Sequence, residues 1–403
     1  MTNLEANKAD VVHLTSVHHP ADMRIWKECK CLADAGYRVT WIVPGERDKF
    51  TDGVLVKVVP KRDGRHRRMT STVWDVYREA LRQDARVYHF HDPELIPAGL
   101  LLRLRKKVVY DVHENVANQV FAKDWIPVAL RTLVSHSYDW VEKHLVNSWS
   151  AIVTANEDIS SRFHLSRSPV VAIHNYSELE DFRSDGDDGM SRYDSGLLVD
   201  CGGLHPRSSF HCVVDALGLI PAHVDTRLVV MGRCYSPEYM ASMKQKEGWQ
   251  RAEYRGTLAR DKMIATLRTA AAALVLYSRE KNHLSVRSNR LFDAMAAGLP
   301  VIASDFPEWK ALISEVGCGL TVDPSSPQAI ASAICYLTSH PAEAADMGNR
   351  GRQAAVERFN WANERLRLLS LYQHLIGSPS MRTAQPCMPE EVFARRAQQA
   401  SQR

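Results

Sequence analysis

Short apolar runs rich in β-branched residues recur along the chain, separated by stretches of helical length. That alternation predicts parallel strands covered on both faces by helices. In the first half the runs are residues 11–14, 39–43, 54–56, 87–88, 108–110, 152–153 and 170–173. Between the first two, Ile25, Cys29, Leu32 and Ala33 fall at i, i+4, i+7 and i+8, which lays one apolar stripe along a helix. Gly36 then stands where a helix C-terminus needs a left-handed residue. A polar stretch, residues 183–189, interrupts the pattern and reads as a linker. The theme restarts with runs at 197–199, 228–230, 273–276, 301–303 and 320–322. The pattern therefore predicts two doubly wound α/β domains in series. Ligands of such sheets bind beyond the carboxyl ends of the strands, so function is expected in the loops that follow strands and in an interdomain cleft. Trp361, Leu368, Leu371, Tyr372 and Leu375 share one helical face, after which residues 377–403 lose the period and read as a mobile tail.

Length agrees with two domains: 403 residues, at roughly 100–200 per domain, exclude a small stapled module. Lys plus Arg number 51 against 47 for Asp plus Glu, and a net charge of +4 is too small for a dedicated nucleic-acid binder. The longest unbroken apolar stretch, residues 270–277, is too short to cross a bilayer. The N-terminus carries no basic-then-apolar leader. Its 8 cysteines lack metal-ligand spacing, the nearest pair being Cys29 and Cys31. These features predict a soluble cytoplasmic protein with neither a structural metal nor a disulfide framework.

The segment SNRLFDAMAAGLPVIASD at 288–305 resembles the donor-binding segment of the retaining glycosyltransferases with two Rossmann-like domains, the GT-B fold of family 4, also described as glycosyl transferases group 1. HHPADMRI at 18–25, HFHDPEL at 89–95, YDVHEN at 110–115 and FNW at 359–361 agree with it, so the resemblance covers roughly residues 10–376. It implies two Rossmann-like domains facing across a cleft, transfer of a sugar from a nucleotide-diphosphate donor with retained configuration, and no bound metal. The corresponding division is an acceptor domain over 1–182, a linker over 183–195, a donor domain over 196–358, a crossover helix over 359–376 returning to the first domain, and the tail.

On a helix starting at Asn289, residues Asn289, Arg290 and Asp293 share one face. Spacing alone makes Asp293 an ordinary helix acid and Asn289 a cap. The resemblance instead puts Asp293 where the family usually has a glutamate that accepts hydrogen bonds from the nucleotide ribose, with Ser288 and Asn289 presenting backbone N–H groups to the diphosphate. The family's second glutamate falls on Ser285, and Asn282-His283 looks like the branch that carries an Asn-His pair there. In the loop beginning Gly202-Gly203, the family's diphosphate-clamping cation aligns with Ser208, leaving Arg207, Arg290 and Arg233 as substitutes. Arg207 reads equally as a solvated loop residue.

In the first domain, His113 matches a family histidine near the donor sugar and reaction centre, and Glu114 stands as an acceptor-side base. His18, Asp22, Arg24, His91 and Asp92 follow strands and belong on the acceptor side. Structural readings stand beside these: Asp92 as the N-cap of a helix opened by Pro93, Asp22 as a capping acid, and Arg24 as an ion-pair partner. Lys57, Lys61, Arg62, Arg65, His66, Arg67 and Arg68, followed by Trp74, form either a solvated loop or a contact with an anionic membrane. The expected function is transfer from a UDP-sugar, or second a GDP-sugar, to a lipid-linked or polysaccharide acceptor in surface glycan assembly. The alternatives are a glycosyltransferase with a small soluble acceptor and a non-catalytic nucleotide-binding relative.

Overall fold

The computed structural model describes residues 8–20, 22–123, 126–183, 190–205, 208–280, 283 and 288–379. Arg207, Asn282 and Ser285, most of the expected linker, and the tail from residue 380 lie outside the described residues. The chain forms two compact units, Met1–His174 with Arg365–Arg403, and Asn175–Glu364. The sequence reading places the corresponding boundaries at 182/183 and 358/359.

The strands of the first unit are β1 (Val11–Leu14), β2 (Val39–Gly45), β3 (Lys49–Thr51), β4 (Val54–Pro60), β5 (Val87–Phe90), β6 (Lys107–Val112), β7 (Ala151–Thr154) and β8 (Val170–Ala172). They form one sheet in the order β3-β4-β2-β1-β5-β6-β7-β8, parallel except for the β3–β4 pair. Alternation along the central strands gives the two faces different chemistry. Val12, Leu14, Tyr88, Phe90, Val108 and Tyr110 build an apolar core. The intervening positions include His13, His89 and Asp111, all buried. The helix Met23–Asp34 supplies partners for that polar set, because it buries Arg24 and Glu28 together with Ile25, Cys29 and Leu32.

In the second unit β9 (Leu197–Asp200), β10 (Arg227–Met231), β11 (Ala252–Gly256), β12 (Ala272–Val275), β13 (Val301–Ser304) and β14 (Gly319–Val322) form an all-parallel sheet ordered β11-β10-β9-β12-β13-β14. Its two faces feed two apolar clusters, with Val199, Val229, Ala273 and Val301 on one side and Leu198, Leu228, Leu274 and Ile302 on the other. This double burial explains why the strands read as unbroken apolar runs.

Each sheet reverses its winding once, at β1 between β2 and β5, and at β9 between β10 and β12. Such switch points open a crevice beyond the strand ends. The helix Trp361–Ile376 leads the chain back into the first unit at Arg365, where Leu368 and Tyr372 are fully buried, each apolar side chain contributing about 2 kcal/mol. Tyr37 anchors the helix end by donating to the Gly377 carbonyl at 2.8 Å. No helix among the described residues is long and apolar enough to cross a membrane.

Candidate functional site

The half-site of the first unit gathers beyond the ends of β1, β5 and β6. Asp22 caps the helix Met23–Asp34, accepting from the backbone N–H of Arg24 and Ile25 at 3.0 and 3.2 Å. Its other oxygen lies 2.9 Å from His18 Nδ1, and His18 Nε2 lies 3.2 Å from Asp92. Asp92 stands at the N-cap position of the turn Pro93–Leu95, with Pro93 opening it, but its side chain makes no cap bond there. Its buried carboxylate instead accepts from the N–H groups of Ser16 at 2.6 Å and Val17 at 3.1 Å, tying the loop after β1 to the end of β5. Arg24 is the ion-pair partner the alternative reading described. Its guanidinium reaches both oxygens of Asp111, the closest contact being 3.0 Å, and donates to the Ile173 carbonyl at 2.7 Å.

Asp111 organises the neighbouring imidazoles. His91 Nδ1 and His113 Nε2 each lie 3.1 Å from its Oδ2. His91 is buried, whereas His113 retains 17% of its side-chain surface, and Glu114 is exposed. Burial opposes ionisation of Asp111, but the Arg24 charge together with the neighbouring His113 and His91 outweighs it and holds the carboxyl well below its ordinary range. Burial pushes His91 down to about 4 and lowers His13 and His89 as well. Burial, with the Asp111 charge, raises the Glu28 carboxyl well above the usual range against the pull of Arg24.

His18 behaves oppositely. Burial disfavours its charge, yet hydrogen bonds and the charges of Asp22 and Asp92 raise it to about 10. Its stabilisation is complete below the unfolded value of about 6.5 and is lost as pH rises toward the folded value. Stability of the wild type should therefore fall between about pH 6.5 and 10 by up to about 1.4 kcal/mol per unit. Urea midpoints across that window should decline less steeply in His18→Gln; equal slopes would show that the imidazolium clasp contributes nothing.

In the second unit, the helix Asn289–Ala296 opens with Ser288 at its N-cap and Asn289 exposed. Ser288 makes no side-chain cap bond; its hydroxyl is 3.1 Å from that of Tyr277, just beyond β12. Asp293 accepts from the Ser177 hydroxyl at 2.5 Å, has Arg260 Nη2 at 3.4 Å, and remains 14% exposed. Arg290, a candidate phosphate cation in the sequence, is engaged elsewhere. It donates to Asp200 at 2.7 Å, and its guanidinium lies 4.2 Å from the Tyr277 ring centroid. A Cβ at Gly202 would stand 2.1 Å from Arg290 Nη1 and 3.0 Å from Asp200 Oδ1, so a larger residue here would displace the Arg290–Asp200 pair. At Gly203 a Cβ would meet the Tyr235 ring at 2.9 Å.

Arg233 is exposed and lies over that same ring. Ser208, aligned with the missing family cation, turns its hydroxyl to the His205 carbonyl at 2.7 Å. His283 Nδ1 is 3.0 Å from the Ser278 carbonyl. Ser177, Arg260, Tyr277 and Asp200 were not legible as site residues, since each lies away from the recognised segment. In the basic cluster, Lys57, Arg62 and Arg68 pair with Asp48, Asp75 and Glu94, while Trp74 is exposed.

Two Rossmann-like units, each with polar side chains collected at the switch point of a parallel sheet, define the GT-B class. The chain belongs to the family 4 glycosyltransferases: residues 21–180 match the profile described as Glycosyltransferase Family 4, and residues 196–340 match Glycosyl transferases group 1. The D-inositol 3-phosphate glycosyltransferase of Corynebacterium urealyticum is 35% identical over 104 residues, 26% of this chain and 22% of that protein. The GDP-mannose:cellobiosyl-diphosphopolyprenol alpha-mannosyltransferase of Xanthomonas oryzae pv. oryzae is 32% identical over 92 residues, 23% of this chain and 24% of that protein. The matches thus span less than a quarter of the length of these curated relatives. Anabaena HepE, solved with UDP and glucose, shares the fold at a TM-score of 0.68 and 13% identity, over 91% of this chain and 100% of that one.

Proposed function

We propose that the protein transfers a sugar from a nucleoside diphosphate sugar to a lipid-linked or polysaccharide acceptor, with retention and without a metal in the transfer step. The observation that carries this reading is Asp293, a partly open carboxylate in the first turns of a helix at the switch point, aimed by Ser177. In this reading Asp293 accepts from the ribose hydroxyls, and the first-turn N–H groups beside Ser288 and Asn289 face the diphosphate. His113, oriented by Asp111, stands at the reaction centre, with His18 and Asp22 on the acceptor side. The acceptor oxygen attacks C1 from the face that the phosphate leaves; the C1–O bond to phosphate breaks, and the departing phosphate oxygen takes the acceptor proton. The protein's part is to position both substrates and stabilise the diphosphate.

UDP is the first choice of nucleotide because the HepE structure holds it, and GDP the second because the Xanthomonas relative is named for GDP-mannose. That relative's name also gives a diphosphopolyprenol acceptor, whereas the Corynebacterium name gives a small phosphorylated one, which favours the soluble-acceptor alternative. The test is to screen α-linked UDP- and GDP-sugars against both acceptor types and to read the anomeric proton coupling of the product by NMR. An α-linked product is expected. A β-linked product would overturn retention, and absence of transfer despite nucleotide binding would mark a non-catalytic relative.

A further inference from the structure

Behind the strand ends of the first unit lies a group of side chains that the transfer chemistry leaves unused. His13 on β1 and His89 on β5 are register partners, and the covering helix Met23–Asp34 carries Glu28. All three are 0% exposed. His13 Nε2, His89 Nε2 and both carboxylate oxygens of Glu28 find no hydrogen-bond partner among the described residues. Arg24 Nε comes within 3.4 Å of one Glu28 oxygen, but polar atoms without hydrogen bonds at such depth are destabilising, so their convergence calls for a common ligand. Together with His91, these residues each offer a ligand atom, and all those atoms lie within 4.8 Å of one another.

The opposite ring nitrogens are already held. His13 Nδ1 is 2.9 Å from His91 Nε2, and His89 Nδ1 is 2.8 Å from the Tyr372 hydroxyl. With Asp111 accepting from His91 Nδ1–H, His91 Nε2 accepts from His13 Nδ1–H, which leaves His13 Nε2 as a free lone pair. Outer partners of this kind fix the tautomer of metal-ligating histidines. The surrounding charge fits as well: the single guanidinium of Arg24 lies between two carboxylates, 3.0 Å from Asp111 and 3.4 Å from Glu28.

We propose that His13, His89 and Glu28 bind one divalent transition-metal ion of the zinc class, a structural ion that fastens β1 and β5 to the helix Met23–Asp34. Two imidazoles and both oxygens of the Glu28 carboxylate supply four donor atoms of the kinds zinc takes. The ion accepts lone pairs from two neutral imidazoles and from Glu28, which releases its proton to solvent. Because the ligands lie in the core, the ion is taken up as the chain folds. This departs from the sequence expectation of no structural metal, which rested on cysteine spacing.

The test is tag-free full-length protein from cells grown with zinc, or with cobalt in its place. Expected are about one ion per chain retained through dialysis and, for cobalt, the visible bands of tetrahedral coordination. Glu28→Gln and His89→Gln should lose the ion, and Tyr372→Phe, which keeps every ligand, should bind about 10- to 100-fold more weakly. His164→Gln, which removes an exposed histidine elsewhere, should bind as the wild type does. Wild-type protein without bound metal, a six-coordinate cobalt spectrum, or unchanged binding in folded Glu28→Gln would overturn the proposal. The cobalt spectrum keeps the test decisive even where a ligand variant does not fold.

Discussion

Replacing Arg24 with methionine is expected to cost the first unit about 3–5 kcal/mol, a large part of the 5–15 kcal/mol that holds an ordinary domain together. The side chain is 7% exposed, makes a forked contact with Asp111, donates to the Ile173 carbonyl and lies 3.4 Å from Glu28. Methionine keeps much of the packing volume but strands the Asp111 charge in the core, with only imidazoles to answer it. The same helix provides its own control. Lys30 pairs with Asp34 at 2.9 Å with both side chains well exposed, so Lys30→Met should change stability by no more than about 1 kcal/mol. Urea unfolding of the full chain distinguishes the two variants. Equal small losses would mean that the buried pair does not brace the half-site.

The second large effect concerns the nucleotide. Asp293→Ala removes the carboxylate proposed to grip the ribose, and hydrogen bonds to a charged group contribute about 1.5–3 kcal/mol each. UDP affinity should fall by at least about tenfold, and kcat/KM with it. Folding should be nearly unaffected, because Arg260 keeps its 2.7 Å bond to Asp181 and the site is not deeply buried. Ser177→Ala, which leaves the carboxylate but removes the hydroxyl that aims it, should give a smaller loss in the same direction. Unchanged UDP affinity in Asp293→Ala at an unchanged melting temperature would make Asp293 an ordinary helix acid.

Much of the fold was legible because parallel strands buried on both faces leave continuous β-branched runs. The two strands that escaped, β3 and β11, are sheet edges whose sequences, KFT and AEYRG, carry no such run. Resemblance supplied Asp293 and His113, while their orienting partners, Ser177 and Asp111, depend on how distant segments are brought together. The buried polar face left a local trace. Glu28 falls between Ile25 and Cys29 on the apolar stripe of its helix, and His13 and His89 each interrupt an otherwise apolar strand. A polar residue at a position whose period demands burial is a sign of a partner supplied by tertiary structure. Asp92, an acceptor-side candidate with a helix cap as its alternative reading, does sit at the N-cap position of its turn, but the N–H groups of the loop after β1 take its carboxylate.

The most direct measurement is a calorimetric titration of UDP into the wild-type full-length protein, repeated with GDP and ADP. Saturable binding of one nucleotide per chain, by UDP first and GDP second, is the expected result. Heats no greater than dilution for all three nucleotides at millimolar concentration would contradict the claim that this fold is built around a nucleotide-sugar donor.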